Sequence, residues 1–179
     1  MEEKITFTSA GLTLAGVIHT PANAPLRGRR PAVVICHGFG GHKDGPQQMW
    51  TAKKLAEWGY VALRFDFRGC GDSGGKRGWV IAQEQVDDAK AAVTYMQSRA
   101  DVDPKKVALS GTSFGAAVAI YTAGVDNRVR ARPRRLLQRP RRLNHGLRVD
   151  VRRWRDRVRR LCEPRVRRGG HVHRRPHRP

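Results

Sequence analysis

The stretch "KVALSGTSFGAAVAIYTAG" (residues 106–124) combines three local patterns in one run. Its first part, "KVALS" (106–110), is a short apolar run typical of a strand that is buried on both faces. Its last part is a run of small and apolar residues that predicts a helix. Between them lies "GTSFG" (111–115), a G-x-S-x-G in the strand–turn–helix setting that gives this motif its meaning. The stretch therefore predicts a sharp turn centred on Ser113.

The residue types of this turn favour a nucleophile at Ser113. Side chains at Gly111 and Gly115 would collide with the neighbouring backbone in so tight a turn. The turn would hold the Ser113 hydroxyl above the C-terminal edge of the sheet, where the following helix aims its free N–H groups. The alternative is a serine that only stabilises the turn, and the strand–turn–helix setting favours the nucleophile.

A second glycine-rich loop, "HGFGG" (37–41), directly follows another predicted strand. Its glycines let the backbone come close to a substrate. The backbone N–H of Phe39, together with that of Phe114, could stabilise a developing oxyanion, and losing one such donor costs about 10²–10³ in rate. His37 is interpreted as a hydrogen-bonding strut rather than a general base. His42 and Lys43 are expected in solvent or at the rim of the substrate site.

The remaining pattern up to residue 127 alternates strands and helices. "KITFTSAGLTLAGVIHTP" alternates apolar and polar residues around Ala10 and Gly11, which predicts an N-terminal β-hairpin. "PAVVIC" (31–36) and "YVALRFDF" (60–67) predict strands buried on both faces. Short connections between strands and helices indicate a parallel sheet that is covered by helices on both faces.

Two further helices are predicted before the Ser113 turn. In "MWTAKKLAEWG" (49–59), Trp50, Leu55 and Trp58 lie near helical spacing, and Gly59 is a plausible end. The other helix covers roughly residues 81–99, with Pro104 blocking its continuation. One face of this second helix carries Val86, Ala89, Val93 and Met96.

"HGFGG", "FDFRGCGDSGG" and "DVDPKKVALSGTSFG" resemble the α/β-hydrolase superfamily in order and spacing. The resemblance covers about residues 1–130 and is closest to the branch of dienelactone-hydrolase-like esterases, acylglycerol-lipase-like enzymes and serine aminopeptidases. It implies an α/β fold class: the N-terminal portion of a doubly wound, mostly parallel sheet. It also implies that Ser113 is the nucleophile and that Phe39 and Phe114 supply the oxyanion hole.

In proteins of this kind the loop after the "YVALRFDF" strand forms a structural turn beside the site. The resemblance assigns that role to Asp66, Arg68, Gly69, Gly71 and Ser73. The same loop contains a formal G-x-G-x-x-G (69–74), which a dinucleotide-binding site would require to open a helix at once. Here "GKRGW" intervenes, so the structural turn is the favoured interpretation.

The chain has two contrasting compositions. Residues 1–127 contain 15 Lys and Arg against 12 Asp and Glu, whereas residues 128–179 contain 21 Arg, no Lys and 3 Asp and Glu. We therefore divide the chain into a partial α/β-hydrolase domain (1–127) and an Arg- and Pro-rich tail (128–179), expected to be disordered or irregular. Because Arg, Pro and His are in excess and Lys is missing, we interpret the tail as the product of a frameshift in a GC-rich gene.

Two alternatives for the tail remain open. Its arginines could bind RNA or DNA by neutralising phosphates, although the tail has one tryptophan and no tyrosine or phenylalanine for base stacking. Apolar residues at near-heptad spacing could instead form a basic amphipathic helix for an anionic membrane or a partner. These residues are Leu143, Leu147, Val151, Trp154, Val158 and Leu161.

A serine hydrolase also needs a base and an acid, which follow the serine along the chain in α/β-hydrolases. No buried strand is predicted in the tail, so its formal candidates are interpreted as solvated residues and this chain is expected to have little or no turnover. Without later strands, residues 107–110 would form an apolar sheet edge that invites aggregation. The formal acids are Asp150 and Asp156, and the formal bases are His145, His171, His173 and His177.

Composition also narrows the class of protein. Three widely separated cysteines are typical of a protein of the reducing cytoplasm. The acidic N-terminus is not typical of a signal peptide, so none is expected. The longest smooth apolar stretch, "FGAAVAIYTAG", is too short to span a bilayer. The expected partner is a small-molecule acyl substrate rather than nucleic acid, a membrane or a specific protein, and no metal or organic cofactor is implied.

Overall fold

A computed structural model describes residues 1–22 and 28–129 of the chain. Within them, five strands and three helices follow the predicted alternation. In chain order these are β1 (Glu2–Ser9), β2 (Leu12–His19), β3 (Arg30–Cys36), α1 (Pro46–Glu57), β4 (Val61–Phe65), α2 (Ala82–Ser98), β5 (Val102–Gly111) and α3 (Phe114–Val125).

The five strands form one mixed sheet in the order β1-β2-β4-β3-β5. β3 lies between β4 and β5 and is parallel to both, whereas β1 and β2 form an antiparallel hairpin whose second strand pairs with β4. The hairpin turns at Ala10 and Gly11, which both have positive φ (46° and 79°), as a two-residue hairpin turn requires. The predicted hairpin and the predicted α/β sheet are both confirmed.

Helices cover both faces of the parallel strands, as the doubly wound prediction requires. Val34, Leu63 and Phe65 belong to the core cluster shared with α2 and α3. Val33 and Ile35, which alternate with Val34 along β3, pack with Ala52 of α1 on the other face. All five residues of β4 are buried, which explains its continuous apolar run.

The sequence predicted the buried face of α2 better than that of α1. α2 spans nearly the predicted residues, and Val86, Ala89, Val93 and Met96 are all buried. Of the three predicted apolar residues near α1, Leu55 packs against the sheet together with Ala52, whereas Trp50 and Trp58, the C-cap residue, are 61% and 68% exposed. The small side chain of Ala52 lets α1 approach β3 closely, and the spacing of the tryptophans alone could not reveal which side faces the sheet.

β5 begins earlier than its predicted start at residue 106. Val102 is fully buried and pairs with Arg30, and a register shift follows before Ala32 pairs with Val107. The irregularity contains Pro104, which has no N–H for a regular ladder. Val102, Asp103 and Pro104 therefore belong to the strand. Among the described residues, β5 is paired only with β3.

Packing continues two residues beyond the predicted domain boundary at residue 127. Val129 is buried in the main core cluster. Arg128 donates to both carboxylate oxygens of Asp126 and to Thr94 Oγ1 on α2, at 2.6 to 3.1 Å. The remainder of the tail, residues 130–179, lies outside the described residues, so the frameshift, nucleic-acid and membrane-helix interpretations remain predictions.

No helix within residues 1–22 and 28–129 is long and apolar enough to cross a membrane. Cys36 and Cys70 are free thiols, and burial raises the pKa of Cys36 to about 12. The cytoplasmic location stays a prediction.

Candidate active site

The turn between β5 and α3 holds Ser113 in a strained conformation. Its φ of 52° and ψ of −122° lie in a region that non-glycine residues rarely occupy, at a cost of about 1–3 kcal/mol. Apart from Ala10 in the hairpin turn, Ser113 is the only non-glycine residue with positive φ in the described part of the chain. Its side chain is exposed at the C-terminal edge of the parallel strands.

The glycines that flank the turn are required by close backbone contacts. A Cβ on Gly111 would collide with the carbonyl of Gly115, and a Cβ on Gly115 would collide with the carbonyl oxygens of Cys36 and His37. The predicted steric role of both glycines is therefore confirmed. The second contact also locks the turn against the end of β3.

His37 ties the loop after β3 to the end of β4. Its Nε2 accepts a hydrogen bond from the Phe67 backbone N–H at 3.2 Å, so the proton is on Nδ1, which donates to the Gly38 carbonyl at 2.8 Å. Burial lowers the pKa of His37 and keeps the ring neutral. Since both ring nitrogens are occupied, the interpretation of His37 as a strut is confirmed.

The loop that starts at His37 passes directly beside Ser113. A Cβ on Gly38 would lie 3.2 Å from the Thr112 carbonyl oxygen and 3.6 Å from Ser113 Cβ. The next side chain, Phe39, packs edge-to-face on Phe114 with ring centroids 6.2 Å apart. The structure thus brings the three predicted site residues together from two separate loops.

The backbone N–H groups at this place differ in their hydrogen bonding. The N–H groups of Gly115 and Ala116 donate to the carbonyls of Thr112 and Ser113. The N–H groups of Phe39 and Phe114 donate to no acceptor within residues 1–22 and 28–129. Two unengaged donors therefore lie on the two loops that flank the Ser113 hydroxyl.

The loop after β4 is held by its own polar groups, as the structural interpretation predicts. Ser73 Oγ donates to the Asp66 carbonyl at 2.6 Å and accepts from the Ala15 N–H at 2.9 Å, which joins the loop to β2. Arg68 donates to both carboxylate oxygens of Asp88 on α2. The formal G-x-G-x-x-G of this loop does not open a helix, because α2 starts only at Ala82.

A family model described as "Serine aminopeptidase, S33" matches residues 28–135, which contain β3, the loop from His37 and the Ser113 turn. The chain belongs to this family of α/β hydrolases.

Curated proteins similar to this chain carry different functional names. The chain is 39% identical over 102 residues to the quorum-quenching protein AidA of Acinetobacter baumannii, an alignment that covers 56% of this chain and 33% of AidA. It is 33% identical over 135 residues to the thiohydrolase apmlB of Arthrinium phaeospermum, which covers 73% of this chain and 41% of that protein. The chain thus spans well under half of these relatives.

Solved structures show the same partial coverage. The α/β hydrolase GrgF from Penicillium sp. sh18 superposes with a TM-score of 0.67 at 33% identity, covering 72% of this chain and 43% of GrgF. Est1E from Butyrivibrio proteoclasticus, solved with ferulic acid, gives a TM-score of 0.64 at 25% identity, covering 70% and 49%.

The expectation that Lys43 lies in solvent is wrong. Lys43 is only 6% exposed, and its Nζ donates to Asp66 Oδ2 at 3.1 Å, to Asp44 Oδ2 at 2.9 Å and to Asp72 Oδ2. Burial alone would lower the pKa of Lys43, but the hydrogen bonds to Asp72, Asp44 and Asp66 outweigh it and raise the pKa. His42, its neighbour, is exposed as expected.

The only sequence signal for this cluster is the position of an aspartate directly after β4. Asp66 is fully buried, and a buried carboxylate requires partners. Nothing in the local pattern indicates that the partner comes from the loop after β3.

A base and an acid for Ser113 were not found in the described residues. Of their three histidines, His37 is a strut, His42 is exposed, and His19 accepts from Arg64 Nε at 2.8 Å at the N-terminal end of β4. No side chain among residues 1–22 and 28–129 hydrogen-bonds to Ser113 Oγ. The formal acids Asp150 and Asp156 and the formal bases His145, His171, His173 and His177 lie outside the described residues.

Proposed function

We propose that Ser113 is the nucleophile of a serine hydrolase that cleaves a carboxylic ester or a related acyl bond in a small-molecule substrate. One observation carries this proposal. An exposed serine is held on a strained strand–helix turn, and the N–H groups of Phe114 on this turn and of Phe39 on the adjacent loop donate to no acceptor among the described residues. That is the donor arrangement that acyl transfer needs.

In the proposed reaction, Ser113 Oγ forms a bond to the acyl carbon while its proton passes to a base. The carbonyl oxygen becomes an oxyanion, which the N–H groups of Phe39 and Phe114 stabilise. The intermediate then expels the alcohol or thiol, which takes up the proton, and leaves Ser113 acylated. Water hydrolyses the acyl-enzyme, and no metal or organic cofactor is required.

The relatives support an acyl compound as the substrate. One is named a thiohydrolase and another was solved with ferulic acid, a carboxylic acid. The aromatic ring of ferulic acid also fits a site in which the ring of Phe39 packs on that of Phe114, the residue after Ser113.

We further propose that this chain turns over little or no substrate, because residues 128–179 offer neither a base nor an acid in the expected setting. In subtilisin, loss of the catalytic histidine alone costs about 10⁶ in kcat. Translation of the same DNA beyond codon 127 in the other two frames tests the underlying frameshift. One frame should continue with strands and then supply an Asp and a His.

The function is tested with two chains: the 179-residue chain, and a frame-restored chain in which the reading frame beyond codon 127 is corrected to the one that continues the hydrolase. Each is compared with and without Ser113→Ala. The restored chain should hydrolyse aryl esters and react with a fluorophosphonate at Ser113, and Ser113→Ala should abolish both. The 179-residue chain should be slower by about 10⁶ in ester turnover. Hydrolysis by the restored chain that survives Ser113→Ala would exclude Ser113 as the nucleophile, and ready turnover by the 179-residue chain would contradict the proposed loss of the base.

A further inference from the structure

The loop from His37 to Lys43 is attached to the sheet at its two ends. At its start, the His37 ring accepts from the Phe67 N–H at the end of β4. Between the ends, the Gly41 N–H donates to the Gly38 carbonyl at 3.0 Å, and the Phe39 ring contacts Phe114. Phe39 is 73% exposed, so packing does little to fix the backbone that carries its N–H group.

The other end of the loop is attached through every polar group of Lys43. Its backbone N–H donates to Asp66 Oδ1 and its Nζ to Asp66 Oδ2, so one carboxylate holds both the main chain and the side chain. Its carbonyl accepts from Arg64 Nη1 at 3.1 Å. Asp66 also accepts from the Asp72 N–H at 2.9 Å, which joins the loop after β4 to the same carboxylate.

The hydrogen bonds at Lys43 constrain the direction of the groups they join, which apolar contacts do not. A buried ammonium is tolerated only when it is paired and hydrogen-bonded, and an apolar contact would attach the loop at lower desolvation cost. The hydrogen bonds fix the orientation of the peptide at Lys43, which apolar packing would not do. Phe39, which carries the proposed oxyanion donor, lies four residues upstream in the same loop.

We propose that Lys43, held by Asp66, is a positioning residue that sets the place of the Phe39 backbone N–H beside Ser113. This inference rests on the proposed function of that N–H as an oxyanion donor. The hydrogen bonds of Lys43 go to Asp44, Asp66, Asp72 and Arg64 rather than to Ser113, so it acts through the loop that it anchors.

The test compares Lys43→Met with Arg68→Met in the 179-residue chain. Arg68→Met is a matched control, because it breaks another ion pair with a fully buried carboxylate, Asp88, without touching the loop from His37. Amide hydrogen exchange and the amide NMR shift of Phe39 are the readouts. Lys43→Met should speed exchange of the hydrogen-bonded Gly41 and Lys43 N–H groups by about 10- to 100-fold and move the Phe39 signal, while the control leaves both unchanged.

Lys43→Arg should restore most of the protection, because it keeps a buried cation within reach of the carboxylates. Should Lys43→Met not fold, Asp72→Asn provides a milder test, since the Asp72 side chain is 74% exposed and supplies one of the three acceptors of Nζ. It should selectively speed exchange of the Gly41 and Lys43 N–H groups. Unchanged exchange there, or an equal increase in β3, β4 and β5, would overturn the proposal with either variant.

A second readout links the loop to the serine. In the frame-restored chain, Lys43→Met should slow fluorophosphonate reaction at Ser113 by about 10-fold or more relative to Arg68→Met. Labelling that stays equal in the two variants would overturn the positioning role. If Ser113 is unreactive even in the unmutated restored chain, the proposed function fails, and the exchange experiment still decides whether Lys43 fixes the loop.

Discussion

Two loops meet at the candidate site, and different forces hold them. The Ser113 turn is held by backbone sterics, since Gly111 and Gly115 leave room for nothing larger than hydrogen. The loop from His37 to Lys43 is held by side-chain hydrogen bonds and a buried ion pair with Asp66. The steric constraints of the turn require a recognisable sequence motif. The ion pair requires only two charged residues, which lie 23 positions apart and form no motif.

The largest effect is expected from a variant that disturbs the close backbone packing of the Ser113 turn. Gly115→Ala places a methyl group on the carbonyl oxygens of Cys36 and His37, so it should destabilise the folded domain by about 4 kcal/mol or more. Chemical unfolding followed by circular dichroism measures this. Gly40→Ala is the control: nothing lies within 4 Å and only its φ of 66° is unfavourable, so it should cost about 1 kcal/mol. Equal effects would show that close packing does not hold the turn.

Asp66→Ala removes the carboxylate that anchors the loop from His37 to Lys43. The variant leaves the Lys43 ammonium without its fully buried partner and leaves the backbone N–H groups of Lys43 and Asp72 without an acceptor. The free energy of unfolding should fall by about 3 kcal/mol. Asp87→Asn, which alters an exposed pair with Lys90, should leave the urea midpoint unchanged. Similar midpoints for both variants would argue against the buried cluster as an anchor.

A smaller effect depends on pH. Burial lowers the pKa of His37 below the ordinary value of 6.5, so the unfolded chain binds a proton that the folded domain rejects. The stabilisation is complete above pH 6.5 and declines as the pH falls, by up to about 1.4 kcal/mol per pH unit. Burial lowers the pKa of His19 too, so both histidines contribute to the loss of stability at low pH.

His37→Gln separates these contributions, because an amide can donate and accept but does not titrate in this range. As the pH falls below 6.5, the unfolding free energy should decline less steeply than in the unmutated chain, by at most about 1.4 kcal/mol per pH unit. An unchanged slope would mean that His37 is protonated in the folded domain.

The smallest effect sharpens the steric argument at Ser113 itself. Glycine tolerates φ of 52° with ψ of −122° without strain, so Ser113→Gly should stabilise the domain by about 1 kcal/mol after the entropy cost of glycine is included. Thermal unfolding measures the gain. A decrease in the melting temperature would indicate that the serine conformation carries no strain.

Much of the fold could be predicted because its signals are local. The buried runs of β3 and β4, the apolar face of α2 and the turn at Ser113 all follow from residue types at short spacing. The start of β5 could not be predicted, because Pro104 suggested a boundary and only pairing with Arg30 draws residues 102–105 into the strand. The exposed side of α1 likewise depends on how closely Ala52 approaches β3.

The sequence alone determined that a strand ends in a glycine-flanked serine and that a glycine-rich loop follows an earlier strand. Both are consequences of backbone sterics, which act between residues close in the chain. Only the tertiary structure decided that the two loops lie against each other, that His37 is locked by Phe67, and that Lys43 is buried among carboxylates. Such pairings join residues far apart in sequence, and an ion pair needs no fixed spacing. Their partners become identifiable only when parallel strands bring their C-terminal ends to the same edge of the sheet.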